Sequence, residues 1–175
     1  MSSTSPDKIP RAGERGEGSV RRTSEHDEVS TLETHLGYWL RAVSNHVSHA
    51  FKAKVERQDV TVAEWVVLRA LFDGDGIKPS ELAVKLGLTR GAISKLVDRL
   101  VAKELVSVRS DVRDGRAQRL TLRASGRRLV PKLAALADEN DAECFGQLNP
   151  EQRAFLLATL KGLVEHLGLQ GAPVD

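Results

Sequence analysis

Leu105-Val-Ser-Val-Arg-Ser-Asp-Val-Arg-Asp-Gly-Arg-Ala-Gln-Arg-Leu-Thr-Leu122 decides how the rest of the chain is read. Leu105 to Arg109 and Arg119 to Leu122 are β-prone runs, and Asp111 to Gly115 between them is turn-like and polar apart from Val112. A hairpin is expected. Arg109, Arg113, Arg116, Arg119 and Arg123 make it cationic, with Asp111 and Asp114 opposing them. Such a tip is poor material for a catalytic cleft and good material for meeting a polyanion.

Directly upstream, two short helical patterns meet at a glycine. Pro79 suits the first turn of a helix carrying Leu82, Ala83 and Leu86, and Gly87 permits a tight exit. Thr89 can cap the next helix, whose Ile93, Leu96, Val97 and Leu100 form one apolar face. On their own these two segments fit either an ordinary helical hairpin or a helix-turn-helix; the basic hairpin behind them favours the second.

Further out, Thr61-Val-Ala-Glu64 reads as a capping box opening a helix through Leu71, which Asp73-Gly-Asp-Gly76 breaks. From about Ser30 to Val55, Leu36, Leu40, Val43, Val47, Ala50 and Phe51 recur at the spacing of a long amphipathic helix. A second long helix is expected from Ser125 to Phe145 on Leu129, Leu133, Leu136 and Ala137, with Pro131 kinking it or sitting in its first turns. Asn149-Pro-Glu-Gln152 opens a last helix whose Phe155, Leu156, Leu160, Leu163, Val164 and Leu167 form a face wider than a surface helix needs. A helix–helix interface is expected there.

Composition narrows the class. Of 175 residues, 41% are hydrophobic, 29% charged and 4% aromatic, which suits a helix-rich globular chain rather than a sandwich or barrel. The net charge of +2 is unevenly spread: −1 over 1–28, +1 over 29–60, +4 over 61–126 and −2 over 127–175. Residues 1–28 and 171–175 read as tails, the first disordered because it offers too few apolar residues to offset ordering. No run is apolar enough for a membrane span or a signal peptide, so a cytoplasmic chain is expected. Cys144, the sole cysteine, is expected to be inert. No phosphate-binding loop, nucleophile elbow or Cys–His arrangement appears, so no enzyme and no cofactor are expected.

The stretches Thr61 to Leu68, Pro79 to Leu88, Thr89 to Leu105 and, above all, Asp111-Val-Arg-Asp-Gly-Arg116 leading to Leu120-Thr-Leu122 and Gly126 resemble the MarR family of winged helix-turn-helix transcription regulators. The likeness runs from about Leu32 to Leu167. It departs at Lys78, where the family often has Thr or Ser, and at Arg123, where it often has Thr. The resemblance implies a mainly α fold with a small β-hairpin wing, a winged helix-turn-helix over 61–123 within one domain of 29–170, and dimerisation helices at 29–57 and 125–168. It also implies a homodimeric repressor on a pseudo-palindromic stretch of double-stranded DNA, released by a small, aromatic ligand. A winged-helix protein-interaction module and a metal-responsive regulator are the competing readings.

With the apolar face of the Thr89 helix turned inward, Thr89, Arg90, Gly91, Ser94, Lys95 and Arg99 face outward, as residues that meet bases and phosphates in a major groove do. The resemblance points to Arg116 as the wing arginine for the minor groove, with Arg113 next. Asp98 then either orients the wing through Arg116 or pairs locally with Lys95 or Arg99. His35, Trp39, His46 and His49, followed by Trp65, fall beside the first apolar stripe, either as part of a pocket for an aromatic anion or as packed interface. His46 and His49 have a metal-like spacing, but two ligands do not complete a zinc site.

Overall fold

The computed structural model describes residues 29–74, 76–110 and 118–169. Their elements are α1 (Leu36–Glu56), α2 (Val62–Asp73), α3 (Pro79–Leu86), α4 (Arg90–Ala102), β1 (Val106–Ser110), β2 (Gln118–Leu122), α5 (Ala124–Phe145) and α6 (Pro150–His166). β1 and β2 pair antiparallel, Val106 opposite Leu122 and Ser110 opposite Gln118. Ile77 adds a single bridge to Leu120, giving the hairpin a short third edge. The tails and the tip of the hairpin, residues 111–117, lie outside the described residues.

The ends of the helices follow from local chemistry. At α2 the Thr61 hydroxyl accepts from the Glu64 N–H at 3.2 Å while the Glu64 carboxylate accepts from the Thr61 N–H at 2.9 Å, the expected reciprocal box. Asn149 and Gln152 repeat it at α6, at 2.9 and 3.0 Å. Gly87 closes α3 at φ +65°, a conformation that penalises a side chain. At Lys78 half a box survives: its N–H donates to the Glu81 carboxylate at 3.3 Å, whereas an ammonium cannot accept the return bond.

One expectation shifts and one alternative is narrowed. The first helix begins at Leu36 rather than near Ser30, because a 3-10 turn (Leu32–Thr34) and an extended His35 precede it. There the Thr34 hydroxyl donates to the Thr31 carbonyl at 2.7 Å and His35 Nδ1 lies 2.9 Å from the same oxygen, so side chains compete for a carbonyl that a helix would use. Pro131 lies well inside α5, on an exposed side where water can solvate the carbonyl its missing N–H leaves.

The core is centred on the helix-turn-helix. Leu68, Leu71, Leu82, Ile93, Leu100, Val106, Leu120 and Leu133 are all essentially sealed from solvent. Gly126, in the first turn of α5, lies so close to the strand entry that an added Cβ would meet the Leu105 carbonyl oxygen at 2.4 Å. A Gly126→Ala substitution should therefore cost about 2 kcal/mol through overpacking, read from urea unfolding. An unchanged midpoint would show that the two elements separate freely.

α1 crosses α5 under an ionic brace. Lys54 Nζ donates to Glu143 at 2.9 Å and to Glu139 at 3.1 Å. The hydrogen bond from Lys54 holds the Glu143 carboxyl below the usual carboxylate range. Because the folded value is depressed, this contribution is present above that range and disappears as pH falls through the lowered value. Thermal melts between pH 6 and 3 should show Glu143→Gln flattening the acid-side loss of stability; an unaltered pH profile would remove the brace from the account.

Candidate nucleic-acid interface and adjoining cavity

α4 is held at its start by the Thr89 hydroxyl, which accepts from the Ala92 N–H at 3.1 Å. Ile93, Leu96, Val97 and Leu100 are buried, and this fixes the opposite face. Arg90, Gly91, Ser94, Lys95 and Asp98 are exposed together on it. Gly91 has open space above its Cα, so the backbone there can approach a groove closely. The Ser94 hydroxyl donates to the Arg90 carbonyl at 3.1 Å, which leaves its oxygen able to accept.

Other cations of this region also contact the protein itself. Arg99 stays exposed, with its Nε donating to the Lys95 carbonyl at 3.4 Å and lying 4.0 Å from Glu64. Arg119 donates to the Gly76 carbonyl at 2.7 Å, tying β2 to the loop before α3. Arg123 faces Glu104 at 3.5 Å. Of the two local partners considered for Asp98, Arg99 is thus engaged elsewhere. Arg113 and Arg116 lie outside the described residues, and with them the expected link from Asp98 to the wing.

A cavity of about 930 Å³ opens between the later turns of α1, the start of α2 and the later turns of α5. Phe51, Val62, Trp65 and Val66 give it an apolar wall, and Ser44, Ser48, His49 and Asn140 a polar one. The ionic groups in the lining are matched, Lys52 lying 3.8 Å from Glu56 and Asp141 paired with Arg153. Asn140 is 4% exposed and its amide N–H donates to the Val47 carbonyl at 3.3 Å. Its Oδ1 has no donor among the described residues, and turning the amide over would set oxygen against oxygen.

The residues expected to form a ligand strip are not all brought together. His49 and Trp65 line the cavity; His35, Trp39 and His46 do not. Fourteen residues of helix span about 21 Å, longer than one small-molecule site. Trp39 instead donates its indole N–H to the Glu33 carbonyl at 2.8 Å and packs edge-on against Tyr38. Sequence reasoning missed Ser44, Asn140 and Asp141. A signal for Asn140 existed: it continues the Leu129, Leu133, Leu136 spacing as a polar residue in an apolar row. Among the described residues no group of three His, Cys, Asp or Glu side chains is placed to hold a metal ion.

The MarR family's sequence profile matches residues 58–117. The HTH-type transcriptional repressor Rv2887 of Mycobacterium tuberculosis is 31% identical over 134 residues, covering 76% of this chain and 93% of the relative. The chain belongs to the MarR family. Among solved structures, Bordetella bronchiseptica BpsR, described as regulated in its DNA binding by 6-hydroxynicotinic acid, aligns with TM-score 0.68 at 25% identity, covering 77% of this chain and 96% of that one. The Staphylococcus aureus MepR–DNA complex aligns with TM-score 0.68 at 25% identity, over 75% and 98% of the two chains. A MarR-family fold with a basic, capped α4 makes this protein a DNA-binding transcription regulator and not an enzyme. Among the described residues, no helix is long and apolar enough to cross a membrane.

Proposed function

We propose that the protein is a homodimeric repressor that binds a pseudo-palindromic operator and leaves it when a small aromatic molecule fills the cavity beside α1, α2 and α5. The observation that carries this reading is the uncovered apolar surface at both ends of the fold. α6 buries none of its residues, and Phe155 is 75% exposed; Leu36, at the start of α1, is 87% exposed. Leu40, Val43, Leu157 and Val164 extend the same two surfaces. Apolar area on this scale marks an interaction site. A second copy of the chain is the occupant that gives each α4 a symmetry mate, and paired reading heads need inverted half-sites.

The cavity has the make-up of an effector site. Its indole and phenyl walls suit a flat ring, and a ligand hydroxyl or N–H reaching Asn140 would relieve the cost of its lone acceptor. That BpsR is regulated by a hydroxylated aromatic acid supports a ligand of this general kind.

Selection of bound duplexes from a random pool, followed by footprinting and in vitro transcription, tests the proposal. The expected result is two inverted half-sites centred about one helical turn apart and lower transcription from a promoter that carries them. Recovery of a single asymmetric half-site would remove the dimer reading. Raised transcription would remove the repressor reading.

A further inference from the structure

The turn between α1 and α2 touches the cavity on one side and the end of α4 on the other. Glu56, the last residue of α1, and Thr61 to Ala63, at the start of α2, line the cavity. Behind them Glu64 is buried, 1% exposed, with its Oε2 accepting from the Thr61 N–H at 2.9 Å and from Lys103 Nζ at 3.0 Å. Lys103 ends α4 and also donates to the Asp59 carbonyl within the same turn. One carboxylate oxygen therefore joins the cavity wall to the helix that carries Arg90, Ser94 and Lys95.

Two backbone features stiffen this junction. Asp59 and Glu104 both adopt φ +56° without being glycine, one in the α1–α2 turn and one immediately after Lys103. Each is a costly conformation for an L-residue, held by its surroundings. α4 thus stops abruptly at the residue that grips Glu64. Apolar side chains across α2 and α4 can slide past one another, whereas the buried Glu64 carboxylate, gripped by Lys103 at 3.0 Å and approached by Arg99 at 4.0 Å, loses charge pairing if it draws away from α4. A shift at the start of α2 would therefore act on the end of α4 through this pair.

We propose that Glu64 and Lys103 are the positioning residues through which occupancy of the cavity alters the set of the recognition helix. This rests on the cavity being the effector site. No effector is needed to test it, because a tethered ring can occupy the cavity. In a Cys144→Ser background, Ser48→Cys on the cavity wall is labelled with monobromobimane, and affinity for the selected operator duplex is compared with that of the unlabelled protein.

The label should weaken the parent's operator binding about tenfold, within the usual span of coupling between two sites. Glu64→Gln keeps an acceptor for the Thr61 N–H and removes the charge, and there the penalty should fall below about twofold. Glu64→Gln/Lys103→Met, which leaves neither charge unpaired, should behave alike, and thermal melts confirm that both fold. Lys103→Arg, still a cation within reach, should keep the penalty. The label's penalty, rather than operator affinity itself, is the quantity a merely structural pair would not change. A penalty of parental size in both neutral variants overturns the link while leaving the cavity reading intact. Absence of a penalty in the parent overturns the cavity reading and the link with it.

Discussion

A Leu160→Arg/Leu163→Arg protein should sediment as a monomer, keep its helical signal and lose about a thousandfold in operator affinity, down toward non-specific binding. The two leucines sit three residues apart on α6, in a helix that none of the chain's own elements buries. Solvated in a single copy, two arginines there cost the fold little. Facing their own symmetry mates, they would place four cations in a largely apolar seam. Sedimentation and operator titration on the same samples separate the two effects. A dimer that persists would assign pairing to another surface. A monomer with undiminished affinity would show that one α4 suffices.

The second large effect belongs to the exposed face of α4. Arg90→Ala/Lys95→Ala removes two cations from a face whose backbone is set by the Thr89 cap and the buried Ile93, Leu96, Val97 and Leu100. Neither side chain carries core packing, so stability should hold. Operator affinity should fall about a hundredfold, the scale of losing one or two groove contacts. The salt dependence should also flatten, since each lost phosphate contact removes close to one unit from the slope. Titrations at two salt concentrations supply both numbers. Ser94→Ala is the complementary measurement, expected to relax preference at one base position while leaving the salt slope alone. If the paired substitution alters neither affinity nor slope, DNA is met elsewhere.

What could be read from the sequence and what could not divides along physical lines. The boxes at Thr61 and Asn149, the Thr89 cap, the turn at Gly87 and the buried face of α4 are decided within a few residues of the chain, and each stands where it was expected. The missed features depend on partners distant in sequence. Glu64 was legible as half of a box, but its bond to Lys103 spans 39 residues. Asn140 meets Val47 across 93. Arg99 was placed on the outward face by periodicity and is exposed there, but its approach to Glu64 was not legible. The aromatic and histidine strip on α1 was real as a row, but helical rise spreads such a row along the axis, and a cavity takes only its near end.

The close approach of Gly126 to Leu105 bears on mechanics as well as stability. The Arg123 N–H donates to the same Leu105 carbonyl and the Ser125 hydroxyl to that of Glu104, so the first turn of α5 is tied to the entry of the hairpin. Asn140 lies about 21 Å along the helix from that point. A tilt of roughly 6° there would correspond to about 2 Å at the cavity by the same helical geometry. A methyl group added at Gly126, by pressing on the Leu105 carbonyl, would thus be felt at both ends of α5.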